Sequence, residues 1–288
     1  MNTIVIIGQG QLGTQLSQRF LSQNYQVTAV SRTDHRFGMP NYHHIQADLD
    51  SLSSSLDLPG QIDCLYYLAP PSDNNLTDLR LARFLAHHEN LSIKHIIYIS
   101  TSGVYGSSNG KWITEETPVR PKADRAKRRL DAEHQLLKFQ QQTNTPITIL
   151  RCAAIYSSKT VNQQRIAANT KPVITPSQAP FTNRIHLDDL TEVCVKAKEI
   201  PPNESTIYNV SDGHPTTTTE HSWLLSDLAN VERNKEVSLT DAKNYYSEAY
   251  MSYLNESKRL DISKLKAELK PQFKFENIID GINDCLSR

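Results

Sequence analysis

The feature that most constrains the fold is a glycine cluster close to the amino terminus. The apolar run 3–7 leads directly into Gly8-Gln9-Gly10-Gln11-Leu12-Gly13, and an amphipathic segment follows. A second apolar run, residues 26–30, ends at Ser31-Arg32. A strand, a glycine turn, a helix and a second strand in this order are typical of a dinucleotide-binding βαβ unit.

Each glycine of this turn has a physical reason. Gly8 permits the tight turn out of the strand, Gly10 lets the main chain approach a pyrophosphate, and Gly13 lets the helix pack closely on the sheet. The helix N-terminus adds N–H groups and partial positive charge. We therefore expect the whole turn to bind a dinucleotide, through Gly8, Gln9, Gly10, Gln11, Leu12 and Gly13. The alternative is a turn that serves only strand–helix packing.

The end of the second strand predicts which dinucleotide is preferred. A site that prefers NAD usually has Asp or Glu there, which bonds the ribose hydroxyls and would repel a 2′-phosphate. This chain has Ser31 and Arg32, a hydroxyl and a guanidinium, and both suit a phosphate. We therefore predict NADP over NAD. The alternative is that Arg32 is a solvated loop cation.

Composition excludes several classes of protein. The 31 basic and 31 acidic residues of this 288-residue chain balance, so no net field attracts nucleic acid or an anionic membrane. No run approaches the roughly 18 apolar residues of a membrane span, and the chain enters a strand with no signal-like segment before it. We expect a cytoplasmic protein whose four cysteines are reduced, because none forms a CxxC pair. No metal-binding spacing is present, so no metal site is predicted.

Strand-like and helix-like segments alternate through the first two-thirds of the chain. This pattern predicts an α/β fold with a doubly wound parallel sheet of the Rossmann type. Residues 1–156 and 183–212 are predicted to form the NAD(P)-binding domain, and residues 157–182 and 213–288 a smaller, substrate-side lobe. The expected strands after the first two include 63–69, 95–100, 147–150 and 206–210, and the expected helices include 76–88, 124–142 and 186–197.

A series of short motifs carries a family resemblance. Ser100-Thr101-Ser102-Gly103-Val104-Tyr105-Gly106 resembles the strand end and Val-Tyr-Gly turn of the extended short-chain dehydrogenase/reductases, the NAD-dependent epimerase/dehydratase superfamily. Further matches follow that family's order at Asp48-Leu49, Glu115-Glu116-Thr117-Pro118, Leu150-Arg151, Ile155-Tyr156, Arg184-Ile185-His186-Leu187-Asp188-Asp189 and Tyr208-Asn209-Val210. The resemblance covers nearly the whole chain. It implies cofactor contacts at Asp48, Leu49, Leu68, Ala69, Pro70 and Thr101.

The catalytic motif of that family is absent here. Its Tyr-x-x-x-Lys pair would fall on Arg125 and Arg129, if the family's helix Glu is Glu133. Arginine stays protonated and cannot replace a tyrosine as general acid and base. Thr101 and the adjacent Ser102 are the remaining candidate catalytic residues, since Thr101 matches the family's substrate-binding hydroxyl. This combination resembles the atypical members of the group, in particular the YeeZ-like bacterial proteins.

A cluster of six basic residues between positions 120 and 129 has two interpretations. Arg125 and Arg129 are one helical turn apart, so both would face the cleft and form an anion clamp for an acidic ligand. Alternatively, the cluster is a solvated helix surface. The expected partner is thus an unidentified small molecule, acidic if the clamp is correct, and neither nucleic acid nor membrane. The chain is expected to be a monomer or a homodimer.

Two functions remain open at this point. The chain is either an oxidoreductase or epimerase-like enzyme with a substituted acid/base, or a non-catalytic NADP-binding sensor or scaffold. In the first case the proton donor is Thr101, Ser102, a water molecule or a side chain from the C-terminal lobe.

Overall fold

A parallel sheet of seven strands forms the centre of the molecule, and its strand order is β3-β2-β1-β4-β5-β6-β7. The computed structural model describes residues 2–34, 37–199 and 205–288. The inner strands are buried on both faces, as expected for a parallel sheet covered by helices. The strands are β1 (Thr3–Ile7), β2 (Gln26–Ser31), β3 (Tyr42–Gln46), β4 (Cys64–Tyr67), β5 (Ile96–Thr101), β6 (Ile147–Cys152) and β7 (Thr206–Val210).

Helices cover both faces of this sheet. The helices are α1 (Gln11–Ser22), α2 (Leu79–His87), α3 (Asp124–Thr143), α4 (Gln163–Ala167), α5 (Leu187–Lys198), α6 (Thr218–Leu228), α7 (Glu248–Leu254), α8 (Ser263–Glu268) and α9 (Ile278–Ser287). Helices α1 and α5 pack on the face to which Ile4 and Ile6 of β1 point, and α2 and α3 pack on the face of Val5 and Ile7. Side chains alternate along a strand, so successive residues of β1 contribute to opposite cores. The predicted doubly wound parallel α/β fold is confirmed.

Short strand pairs attach the later chain to the sheet domain. Trp112–Ile113, in the loop after β5, pairs with Arg259–Leu260, and Phe181–Thr182 pairs with Thr216–Thr217. The remaining pairs join Gln61–Ile62 to Ser92–Ile93, Ala154–Tyr156 to Arg184–His186, and Val173–Ile174 to Glu236–Val237. Segments of the predicted smaller lobe therefore contact the loop that follows β5. The predicted domain boundaries stay a prediction.

Local side-chain contacts shift several predicted boundaries. The helix predicted from 76 starts at Leu79, because the Asp78 carboxylate accepts from the N–H groups of Arg80 and Leu81. The helix predicted from His186 starts one residue later, because the His186 ring accepts from the Asp188 N–H. Strand β4 is shorter than the predicted 63–69, and β6 is longer than 147–150.

The cysteine prediction is confirmed, since all four cysteines are buried and none is in a disulfide. Among the residues that the structure describes, no helix has the length and apolar character needed to cross a membrane.

Candidate cofactor and substrate site

The three glycines after β1 differ in what surrounds them. Gly8 has a φ of +109°, and a Cβ there would lie 2.9 Å from the Ala69 amide nitrogen. A Cβ on Gly13 would lie 2.4 Å from the Gly8 carbonyl oxygen. A Cβ on Gly10 would meet no protein atom within 4 Å. The first and third glycines therefore serve internal packing, whereas Gly10 keeps main chain exposed to a space that a ligand can fill.

Helix α1 begins at this open space. Its N-cap is Gly10, which has no side chain to cap the helix, and the first intrahelical bond runs from the Thr14 N–H to the Gly10 carbonyl at 2.9 Å. The N–H groups of Gln11, Leu12 and Gly13 thus have no partner inside the helix, and these residues line a cavity. N–H groups at a helix N-terminus bind phosphate, so the structure fits a pyrophosphate here.

Two cavities meet at Gly8, Gly10 and Pro70. One, of about 300 Å³, extends to the ends of β2 and β3, and the other, of about 330 Å³, extends toward β5 and α3. Together they include every predicted cofactor residue except Thr101, namely Gly8, Gln9, Gly10, Gln11, Leu12, Gly13, Ser31, Arg32, Asp48, Leu49, Leu68, Ala69 and Pro70.

Two cations line the first cavity near the end of β2. The sequence indicated Arg32 but not Arg80. Arg32 is exposed and lines the first cavity, while the Ser31 hydroxyl donates to the Thr33 carbonyl at 2.7 Å. Arg80 lines the same cavity, where it donates to both carboxylate oxygens of Asp50 and to the Pro70 carbonyl. The hydrogen bond from Arg80 lowers the pKa of Asp50. No signal in the sequence indicates this contact, because Arg80 and Asp50 are far apart in the chain and meet only through the packing of helix α2.

Arg125 and Arg129 lie on one face of α3 but line different cavities. Arg129 reaches the second cavity, where it donates to the Ile99 carbonyl at 2.8 Å and to the Tyr98 hydroxyl at 3.3 Å. Arg125 lines a third, smaller cavity and donates to the Ser252 hydroxyl of α7 at 2.6 Å. The two arginines of the predicted clamp therefore line two different cavities.

The third cavity, of about 140 Å³, is lined by a set of residues separate from that of the second. It lies at the carboxyl ends of β5 and β6, and Ala154 lines it while the next residue, Ile155, lines the second cavity. Thr101 Oγ1 accepts from the Gly103 N–H at 3.1 Å, which leaves the hydroxyl hydrogen of Thr101 for a ligand. Both predicted catalytic residues, Thr101 and Ser102, line this cavity. The later chain adds Phe181, Thr182, Asn183, Tyr253, Glu256 and Lys258, which sequence reasoning did not identify.

A buried ion pair joins strand β6 to helix α3. Arg151 of β6 donates to both carboxylate oxygens of Glu133 in α3, the closest contact being 2.7 Å, and both side chains are nearly fully buried. The guanidinium lies 4.8 Å from the ring centroid of Tyr105, whose hydroxyl donates to Asn209. Four motifs of the family resemblance therefore meet in one contact network.

One group of side chains has the spacing of metal ligands. The ligand atoms of His186, Asp188 and Asp284 lie within 4.8 Å of one another. Both carboxylates already contact cations, since Lys274 and Arg288 each lie within 3.4 Å of Asp188 and of Asp284. We interpret the group as an ion-pair network that positions the start of α5.

The comparisons with known proteins identify the family. The family model described as the NAD dependent epimerase/dehydratase family matches residues 4–211. The chain belongs to this family. The match contains the glycine turn, Thr101 and both arginines, but it ends before Glu256 and Lys258. The resemblance seen in the sequence is confirmed at this level, and the YeeZ-like subgroup stays a prediction.

Solved structures of similar fold cover almost the full length of this family member. A functionally unknown conserved protein from Silicibacter pomeroyi is 23% identical with a TM-score of 0.81, and the match covers 99% of this chain and 98% of that one. MoeE5, in complex with UDP-glucose and NAD, is 17% identical with a TM-score of 0.78 and coverages of 99% and 98%. UDP-glucuronic acid 4-epimerase from Bacillus cereus, in complex with NAD, is 18% identical with a TM-score of 0.77 and coverages of 98% and 96%. No curated protein sequence matches the chain.

Proposed function

We propose that this chain is an NADP-dependent oxidoreductase or epimerase-like enzyme that acts on a small acidic molecule. The observation that carries the proposal is the content of two cavities. The second cavity contains the open main chain at Gly10 together with Arg129, and the polar third cavity contains Thr101. The bound coenzyme would exchange hydride with a carbon of the substrate, and Thr101 would donate a hydrogen bond to the oxygen on that carbon.

The coenzyme preference rests on the end of β2. Arg32 lines the first cavity and is exposed, so that the 2′-phosphate of a bound NADP would pair with its guanidinium. NAD-preferring sites have an acidic residue at this position, and this chain has none at Ser31 or Arg32. The solved structures above that contain NAD are neighbours in fold only.

The proposed substrate class rests on two cations, Arg125 and Arg129. Arg125 at the third cavity and Arg129 at the second would each attract a carboxylate or phosphate. A cytoplasmic site of action agrees with four unpaired cysteines, because thiols remain reduced there.

The second candidate is a non-catalytic NADP-binding sensor or scaffold. The observation that favours it is the replacement of the catalytic Tyr and Lys by Arg125 and Arg129. The two candidates differ in turnover and not in coenzyme binding.

Titration with NADPH and NADH, followed by assays of NADPH oxidation, separates the candidates. The assays use a panel of 2-oxo acids and sugar-nucleotide ketones, with neutral ketones as matched controls. We expect tighter binding of NADPH than NADH, and oxidation with acidic carbonyl compounds. Binding without oxidation supports the sensor. Absence of binding at millimolar coenzyme overturns both candidates.

The acidic substrate class has its own test. Arg125→Ala should raise KM for the acidic carbonyl compound about tenfold, a loss of about 1.4 kcal/mol, while NADPH affinity stays the same. Arg165→Ala is the control, because Arg165 lines none of the three cavities. An unchanged KM in the Arg125 variant contradicts the clamp.

A further inference from the structure

A lysine from the C-terminal part of the chain, Lys258, lines the third cavity together with Thr101. Lys258 Nζ donates to Glu256 Oε2 at 2.7 Å and to the Gly106 carbonyl at 2.8 Å. An ammonium group has three hydrogens, so these two contacts leave one for a ligand in the cavity. Lys258 is only 5% exposed.

We propose that Lys258 Nζ is the proton donor and acceptor of this site, acting on a substrate oxygen that Thr101 binds. The inference rests on the proposed function as an enzyme. Lys258 would take over the role of the tyrosine that the family motif lacks here. It differs in origin from the family's lysine, because that position is Arg129 and Lys258 lies outside the family match.

The chain around Lys258 is held in place by main-chain contacts. The Asn183 side chain donates to the Lys258 carbonyl at 3.0 Å and accepts from the Leu260 N–H at 2.8 Å. The Ser257 carbonyl accepts from the N–H groups of Ser108 and Gly110, both at 2.9 Å. The pairing of Arg259–Leu260 with Trp112–Ile113 follows directly. Tertiary contacts therefore fix the position of the lysine. A catalytic group needs such a fixed position.

The electrostatic surroundings bring the ammonium closer to titration at neutral pH. Burial lowers the pKa of Lys258, the adjacent Glu256 raises it, and Arg125 lowers it, with a net pKa below that of a solvated lysine. Catalytic lysines are commonly tuned in this direction by desolvation. Tyr253 also lines the cavity, and its hydroxyl contacts Thr182.

A second observation marks the cavity as a ligand site. Glu256 Oε1 is buried and has no hydrogen-bond partner among the residues that the structure describes. A buried, unpaired carboxylate oxygen is costly unless a bound group donates to it. A substrate hydroxyl next to the reacting carbon would supply that donor.

When a carbonyl compound is reduced, a bound coenzyme would supply the hydride. The electron pair of the C=O π bond moves to oxygen, and this oxygen takes the proton from Lys258 Nζ, whose N–H bonding pair remains on nitrogen. The neutral amine then takes a proton from water. In the oxidative direction, neutral Lys258 accepts the hydroxyl proton.

Three variants test the role of Lys258. Lys258→Met removes the proton, Lys258→Arg keeps the charge but cannot give up a proton at neutral pH, and Lys258→Met with Glu256→Gln avoids an unpaired buried carboxylate. We expect each to lower kcat at least about 100-fold, with NADPH affinity within about twofold of wild type. Lys264→Met is the control, because Lys264 bonds Thr206 and Ile207 away from the cavity. Thermal melting verifies that each variant is folded.

A second readout does not depend on activity. NMR titration of ¹⁵N-labelled lysine side chains in the coenzyme-free protein should place the pKa of Lys258 below that of a solvated lysine. Glu256→Gln should lower the pKa of Lys258 further, because it removes the charge that raises it. A merely structural lysine would lower stability on substitution without changing the pH profile of kcat.

The outcomes separate this inference from the proposed function. If wild type oxidises NADPH and a folded Lys258→Met or Lys258→Arg variant matches its kcat, the role of Lys258 is wrong and the enzyme assignment stands. If Lys258 titrates like a solvated lysine, its role is also wrong. If wild type binds NADPH but none of the carbonyl compounds tested leads to its oxidation, the proposed function fails, and the catalytic role of Lys258 fails with it.

Discussion

The glycine turn and the third cavity are built in opposite ways. The turn uses main-chain atoms from the six consecutive residues Gly8–Gly13, and its key property is space where a side chain would be. The third cavity uses side chains from segments as distant as Thr101 and Lys258. A main-chain site is a property of one short segment, whereas a side-chain site exists only after remote segments have docked.

This difference suggests how the two regions can diverge. The family match includes the whole glycine turn but ends at residue 211, before Glu256 and Lys258. Coenzyme binding can thus be retained while the groups around the substrate change. The predicted replacement of Tyr and Lys by Arg125 and Arg129 fits such a history, because a docked segment can bring the proposed new proton donor to the site.

The largest effect is expected at the buried pair of Arg151 and Glu133, which joins β6 to α3. Glu133→Gln leaves a buried guanidinium without its counter-charge, which should lower the free energy of unfolding by about 3–5 kcal/mol. Urea denaturation measures this. Glu192→Gln is the control, because the Arg19–Glu192 contact of 3.6 Å lies at the surface. Equal stability of the two variants would contradict a large contribution of the Arg151–Glu133 pair to the free energy of unfolding.

The main-chain region is tested next by Gly10→Ala. The added methyl group meets no protein atom within 4 Å, so the melting temperature should not change. It would occupy the space next to the pyrophosphate and weaken NADPH binding about 100-fold, or about 2.7 kcal/mol. Calorimetry measures the affinity, and Gly60→Ala, also without near neighbours, is the control. Wild-type affinity in the Gly10 variant would show that the turn serves packing alone.

A third test concerns charge burial in the later chain. Burial raises the pKa of Asp212 from 3.8 to about 6. The folded chain therefore holds a proton that the unfolded chain has lost, and stability falls as pH rises from about 4 to 6. Asp212→Asn should reduce this fall and raise the free energy of unfolding above pH 6 by about 3 kcal/mol.

Denaturation of wild type and variant across that pH range measures the effect. The variant should retain a part of the slope, because burial also raises the pKa of Asp189 to about 6. Parallel pH profiles for the two proteins would show that Asp212 does not titrate in this way.

The smallest effect is expected at Arg32, at the outer end of the coenzyme cavity. Arg32→Ala should weaken NADPH binding about tenfold, or about 1.4 kcal/mol, because an exposed ion pair with phosphate is lost. NADH binding should remain the same. Raised salt should reduce the difference, which competitive titration measures. Arg19→Ala is the control, because Arg19 lies in the last turn of α1, at the end away from the glycine turn. An equal loss of affinity for NADPH and NADH in the Arg32 variant would contradict a 2′-phosphate contact.

The sequence predicted the sheet and the glycine turn because both depend on local patterns. Apolar runs predict buried parallel strands, and glycine spacing predicts a main-chain approach to phosphate. Element ends were less predictable, because a single contact decides them, as Asp78 does for the start of α2. The Arg125–Arg129 clamp shared a helix face as predicted, yet the packing of Tyr98 and Ser252 divided it between cavities.

By itself the sequence determined the family and the fold class and predicted where a dinucleotide would bind, since these rest on periodicity and on the absence of side chains at three nearby positions. Only the tertiary structure decided which side chains surround Thr101. Lys258 and Thr101 are far apart in the chain, and no local pattern records that the strand pair at Arg259–Leu260 brings them to one cavity. Proximity of remote side chains is a product of packing, and it becomes visible only once the chain is folded.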